Sequence, residues 1–397
     1  MKDSKLYSQK TRTIQLGRNP DKHMGTVNPP LFRASTILFP TVEDFLNRRD
    51  NLFSRDKLHY GLTGTPTSFA LEDTVSDLEG GYRGVISSSG LSAICIALLA
   101  NLKSGDHLLM VDTAYDPTQY FCGTLLKNFS VETTYYPPGI GADIEQLIRK
   151  NTRVVFLESP GSLTFEVQDI PAICDAVRAK NIVTIIDNTW ATPLYLKPFD
   201  LGVDISIHAA TKYIMGHSDG LLGIATCNES TYERVKKTAI SLGQTAGPED
   251  MNLALRGIRT LASRLDQHQQ QALEIAEWLK RFKVIKHVLH PALPDCPGHE
   301  FWKRDYTGSS GLFAIEFDHN YDKTALAAFV DDMELFGIGA SWGGFESLII
   351  PASLENNRVA RPWRGGSVLR LHIGLEDTDD LKKDLQNAFD RLEKHLA

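Results

Sequence analysis

A chain of 397 residues, 42% hydrophobic and 23% charged, is long enough for two or three domains with buried cores. Its formal net charge of −7 comes without a basic stripe, which argues against a nucleic-acid surface; the most basic run, KRFKVIKH at 280–287, reads as a solvated helix end. The start, MKDSKLYSQKTRT, has no signal-peptide core, and the longest apolar run, LSAICIALLANL, is too short to span a bilayer, so a soluble, cytoplasmic protein without membrane contact is expected.

The first sixty or so residues have weak periodicity and proline breaks (VNPPLF, LFPTVEDF), which predicts an extended arm with short helices, better suited to a partner than to a core of its own. From TSFALEDTVSDLEGG onward the pattern alternates. Strand-like runs are GVISSSG, HLLMVDTAY, TRVVFLESP, NIVTIIDNTW and DISIHAATK, with helical runs GLSAICIALLANL, PTQYFCGTLLKNF and DIPAICDAVRAK between them. Nearly continuous apolar strands alternating with helices predict an α/β fold with a mostly parallel sheet and helices on both faces. A long helical stretch, GPEDMNLALRGIRTLASRLDQHQQQALEIAEWLKRF, leads to separate strands GLFAIEF and SVLRLHIG and helices KTALAAFVDDM and TDDLKKDLQNAFDRLEKHL. These predict a smaller C-terminal α+β domain. The expected division is an arm at 1–62, a large domain at 63–259 and a C-terminal domain at 260–397. Cys95, Cys122, Cys174, Cys227 and Cys296 form no C-x-x-C pair, which fits reduced thiols, and the histidines lack H-E-x-x-H spacing, so no metal site is expected.

Ligands of open α/β sheets collect at the carboxyl ends of the strands, and three such ends carry chemistry here. In GVISSSGLSAI the turn offers the N–H groups of Gly90 and Leu91, with Ser89 nearby, to an anion such as phosphate at a helix N-terminus. G-x-G-x-x-G and the P-loop pattern are absent, and such a turn alone also serves packing. Asp187 ends NIVTIID; a carboxylate there needs a cation or hydrogen-bond donors to stay ionised, or caps the following helix. Lys212 follows DISIHAAT and precedes GHSDG. Poorly solvated, it would lose some preference for its charged form and serve as an amine nucleophile; a structural loop lysine is the plainer reading. Together, phosphate turn, acid and lysine match the needs of pyridoxal 5′-phosphate (PLP), with Tyr115 of TAYDPTQ placed to stack on its ring.

From about residue 10 to the end, the ordered motifs YGLTGTPT, LEGG, DTAYDPTQ, FLESPGS, IIDNTWATP, ATKYIMGHSD, RGIRTL, HPALP, GHEFWKRD, GSSGLF, SWGGFESL and RLHIGLED resemble the cysteine/methionine-metabolism family of PLP enzymes. The resemblance implies fold type I, aspartate aminotransferase-like, with a mostly parallel seven-stranded sheet in the large domain. It implies Lys212 as the Schiff-base lysine, Asp187 as partner of the pyridine nitrogen, Tyr115 as the stacking ring, and Gly90, Leu91 and Thr211 as phosphate contacts. Tyr60 resembles a contact supplied by the neighbouring subunit, and Arg370 the clamp of the substrate α-carboxylate. Two positions depart from the family: Leu62 replaces a phosphate-holding arginine, and Ala209 a serine.

SWGG (Ser341 to Gly344) and ESPGS resemble the bacterial members that act at Cβ, with Ser341 and Trp342 bordering the substrate. The implied reaction is β-elimination of L-cystathionine to L-homocysteine, pyruvate and ammonia in methionine biosynthesis, with cystine and other cysteine S-conjugates as side substrates. Lys212 would remove the α-proton and return a proton to sulfur, Tyr115 being an alternative donor. The competing readings are a γ-lyase or γ-synthase of the same family and a catalytically idle cofactor-binding protein. Relatives are commonly tetramers built as dimers of dimers, so a homo-oligomer is expected.

Overall fold

The structure, a computed structural model, describes residues 6–48, 50, 53–55, 57–354 and 358–397. Residues 1–5, 49, 51, 52 and 56 of the expected arm lie outside the described residues. The arm holds two short helices, α1 (Gln9–Gln15) and α2 (Val42–Leu46), N-capped by Ser8 and Thr41. Arg12 of α1 ties it to the body through Asp77, while Met24 and Leu38 stand 98% and 90% exposed. Helix α3 (Pro66–Glu79) starts with proline in its first turn behind a Thr65–Ser68 capping box and stops at Gly80, whose φ of +84° suits a residue without Cβ.

Seven strands follow: β1 (Arg83–Ser87), β2 (His107–Val111), β3 (Glu132–Tyr136), β4 (Thr152–Glu158), β5 (Val183–Asp187), β6 (Ile205–Ala209) and β7 (Gly223–Cys227). They form one sheet in the order β1-β7-β6-β5-β4-β2-β3, parallel except for β7, which runs against both its neighbours. Between strands lie α4 (Gly90–Asn101), α5 (Asp116–Phe121), which continues as a π-helix over Cys122–Leu126, α6 (Ile170–Arg178) and α7 (Thr192–Tyr195). Helix α8 (Glu229–Ser241) follows β7. β2 is buried along its whole length and β4 and β5 through their middles, as strands covered on both faces must be.

The 32-residue helix α9 (Pro248–Leu279) runs through residue 260, so its two halves pack into different cores. Met251, Leu255, Ile258 and Leu265 join Leu71, Tyr213 and Met215 beneath the Lys212 loop. Ala272, Ile275 and Leu279 pack on a second sheet. That sheet contains β8 (Ile285–Leu289), β9 (Leu312–Phe317), β10 (Leu348–Ala352) and β11 (Val368–His372), all antiparallel in the order β10-β11-β9-β8. Helices α10 (His299–Asp305), α11 (Lys323–Val330) and α12 (Thr378–Leu396) complete the chain. A mostly parallel seven-stranded sheet with a smaller α+β unit behind it is the architecture expected from the sequence. Among the described residues no helix is long and apolar enough to cross a membrane.

Candidate active site

β1 lies parallel to β6 across the one reversed strand, so the carboxyl ends of β1, β2, β4, β5 and β6 open on the same edge of the large sheet. The 339–344 loop and β11 face that edge. Between them is a cavity of about 270 Å³ bordered by Gly90, Tyr115, Asp187, Lys212, Trp342 and Arg370. Two larger surface clefts, about 960 and 840 Å³, gather none of these residues.

At one end stands the first turn of α4. The Ser89 hydroxyl accepts the Ser92 N–H at 3.1 Å, which caps the helix and leaves its next free N–H groups toward the cavity. Gly90 is needed because a Cβ there would lie 2.4 Å from the Ala209 Cβ and 2.8 Å from its Cα. The turn is thus pressed onto the end of β6, with Leu91 and Thr211 on the same wall. Ala209, the departure read from the sequence, borders this end as well and brings no hydroxyl to it. The Thr211 hydroxyl accepts the Leu222 N–H at 3.0 Å.

The register of β4 on β5 sets Glu158 beside Asp187. Asp187 accepts the Thr189 N–H at 2.9 Å, and the Thr189 hydroxyl accepts the Ala209 N–H at 2.9 Å, which locks the ends of β5 and β6 together. Burial lifts the Asp187 carboxyl above the usual carboxylate range; the Thr189 donors, His208 and Lys212 oppose that rise. Glu158 is driven well above its ordinary value by burial and by Asp187, and its one relief is the Tyr115 N–H, which it accepts at 2.7 Å. Sequence reading passed over Glu158 as strand interior; its position as the last residue of an apolar strand, like that of Asp187, was the available signal.

Lys212 Nζ donates to the Ser341 hydroxyl at 2.6 Å and lies 5.3 Å from the centre of the Trp342 ring. Burial, with Arg370 nearby, lowers its pKa to about 8, against the pull of Asp187. Arg370 Nη2 donates to the carbonyls of Gly339, Ala340 and Ser341 at 3.2, 3.3 and 2.9 Å, and burial lowers its pKa to about 10. Tyr115 begins α5 half-exposed, its phenol held in the protonated form by burial, Glu158 and Asp187. Tyr60 is not brought to this cavity by its own chain: it is half-exposed and borders a separate pocket of about 390 Å³ with Leu62 and Thr245.

This donor set fits PLP. A capped helix turn whose glycine excludes any Cβ suits a phosphate, a buried acid that accepts the Thr189 N–H suits a protonated ring nitrogen, and an amine with its pKa near 8 suits an aldehyde.

Comparison with known proteins agrees. The family model for "Cys/Met metabolism PLP-dependent enzyme" matches residues 10–390. A putative cystathionine beta-lyase of Rhizobium johnstonii is 46% identical over 98% of both chains. Cystathionine beta-lyase MetC of Escherichia coli is 43% identical over 99% of this chain and 100% of its own. Among solved structures, cystathionine gamma synthase from Xanthomonas oryzae pv. oryzae superposes with a TM-score of 0.88 at 30% identity, covering 98% of this chain and 99% of that one. The chain belongs to the Cys/Met-metabolism family of PLP-dependent enzymes.

Proposed function

We propose that the chain catalyses PLP-dependent β-elimination of L-cystathionine, consuming water and yielding L-homocysteine, pyruvate and ammonia. The observation that carries this reading is the Lys212 amine, its pKa lowered to about 8, sharing one cavity with Asp187 and Arg370. The full-length relatives at 43–46% identity favour Cβ over Cγ chemistry, whereas the γ-synthase likeness stands at 30%.

The residues divide the work as follows. Gly90, Leu91 and Thr211 would hold the phosphate, without help from Leu62 or Ala209; Asp187 would pair with the ring nitrogen, and Tyr115 would stack on the ring. Bound PLP supplies an aldehyde for the substrate amine and a sink for the electron pair left at Cα. The free part of the Arg370 fork takes the α-carboxylate. Lys212, unprotonated in part at neutral pH, removes the proton from Cα and delivers it to the departing sulfur. The Ser341 hydroxyl accepts from Nζ and keeps it within reach of both atoms, and Trp342 closes the wall beside it.

The arm at 1–62, the large domain at 63–259 and the C-terminal domain at 260–397 are the proposed parts. Tyr60, remote from its own cavity, and the exposed apolar arm support a homo-oligomer, a tetramer of paired dimers, in which Tyr60 reaches a neighbour's site. Five free thiols, four of them buried, support a cytoplasmic setting, and the likeness to cystathionine beta-lyases supports a place among the reactions that build methionine. Product analysis tests the function: pyruvate with homocysteine from L-cystathionine is expected, and 2-oxobutyrate with cysteine would move the chain to the γ-lyases.

A further inference from the structure

We propose that His372 is a positioning residue: as a neutral hydrogen-bond acceptor it holds the 339–344 loop, and with it Ser341 and Trp342, against Lys212. This rests on the reading of Lys212 as the proton carrier. Alternation along β11 puts Arg370 and His372 on one face of the strand. Arg370 grips the start of the loop by donating to the carbonyls of residues 339–341. His372 grips its end: the Gly343 N–H points at Nε2 from 3.1 Å. One strand therefore meets the loop with a donor at its start and an acceptor at its end.

The acceptor has no substitute. Gly343 is buried, with a φ of +84°, and a Cβ on it would lie 2.9 Å from the Tyr213 nitrogen and 3.0 Å from both the carbonyl carbon and the Cβ of Lys212. The Gly343 end of the loop is thus seated on the backbone of the reactive lysine, away from water. A backbone N–H can only donate, so Nε2 must be bare and the His372 proton must sit on Nδ1. The Gly344 carbonyl, also 3.2 Å from Nε2, would favour the opposite tautomer, at the cost of facing the Gly343 N–H with another proton.

The Gly343 N–H decides between them, because a buried N–H is orphaned more rarely than a carbonyl. His268, on α9, lies with its ring centre 5.3 Å from that of His372. Its Nδ1 is 2.8 Å from the Ile373 carbonyl and so carries the proton, which leaves its Nε2 bare. His268 Nε2 and His372 Nδ1 are both buried, and neither has a hydrogen-bond partner among the described residues. These two atoms therefore do not bond each other; with the proton on His372 Nδ1 the buried Gly343 N–H keeps its acceptor, and with it on Nε2 that N–H would be orphaned. Burial keeps both rings uncharged at neutral pH, His372 being further opposed by His268, Arg370 and Lys212, and His268 by Arg264.

Two measurements test this. Selective ¹⁵N labelling of histidine, with the His372 signals assigned by their loss in His372→Gln, reads the tautomer in the cofactor-loaded protein. Protonated Nδ1 with bare Nε2 is expected, and a protonated Nε2 overturns the proposal whatever the substrate proves to be. Substitution tests the consequence. The glutamine amide oxygen reaches the place of Nε2, whereas His372→Leu has no acceptor and His372→Asn falls one bond short. With PLP content at the wild-type level, kcat on L-cystathionine should fall at least about tenfold in H372L and H372N and return to within about threefold in H372Q. Should H372L fail to fold, the comparison of H372N with H372Q stands in its place. Unchanged kcat in the variants lacking the acceptor, or H372Q no better than they are, would overturn it. Failure of the proposed reaction would show separately, as no turnover by wild type with the tautomer as expected.

Discussion

An ammonium group enclosed by protein loses hydration that its neighbours must replace. At Lys212 the replacement is incomplete: burial, and then Arg370, outweigh the attraction of Asp187, and the pKa falls from 10.5 to about 8. The cofactor-free protein should accordingly capture PLP faster as pH rises through about 8, followed by the growth of visible absorbance; a flat profile over that range would remove the free amine from the account. The same shift has a sign in stability. Unfolded Lys212 keeps its proton up to about 10.5, so between the two values the unfolded chain binds more protons, and stability rises with pH. In the cofactor-free protein Lys212→Met should thus raise Tm near neutral pH, by an amount that shrinks toward pH 10 as the wild type ceases to bury a charge. Arg370 gives a different signature. Charge-assisted hydrogen bonds are worth about 1.5–3 kcal/mol, so Arg370→Ala should raise KM by roughly 10- to 100-fold, and Arg370→Lys, which lacks the fork, should recover only part of it.

At the scale of elements, the site depends on where strands stop. Lys212, Asp187, Tyr115 and Gly90 were legible because each sits where a run of apolar residues ends, and a doubly covered parallel sheet has a readable strand pattern. Glu158 ends such a run too, but its meaning comes from lying beside Asp187 in the register of β4 on β5, and no local pattern contains that pairing. His372 and Gly343 are separated by 29 positions and joined by a turn of β11 against the loop, equally invisible along the chain. β3, with its mixed burial at the sheet edge, lacks an apolar run, and β7, buried and followed by α8, is reached from β6 without a crossover helix, so neither fits the alternation of parallel strands and helices. The α4 turn allows a test at this scale. Ser89→Ala removes the cap and should cost about 1 kcal/mol by denaturant unfolding, together with weaker PLP retention. Gly90→Ala should do more damage, since its Cβ meets the backbone of β6, and a stable G90A with normal PLP affinity would move the phosphate away from this turn.

The molecule leaves apolar side chains of its arm uncovered. Leu38 and Val42 are 90% and 74% exposed, and Tyr60 on the same segment faces no substrate cavity of its own chain. If a second copy covers the arm, Leu38→Asp with Val42→Asp should shift sedimentation toward the monomer and lower activity in step, while a fully active monomer would take Tyr60 out of the site.

Helix α9 joins the core beneath Lys212 to the core of the second sheet, and over 32 residues it spans about 48 Å. Opening its middle turns requires both halves to release their neighbours. Amides around Leu265 and Ala272 should then exchange with deuterium only through global unfolding, at one shared rate, while those of α1 and α2 exchange through local opening. The slowest-exchanging hydrogens of the chain would mark the seam between its two sheets.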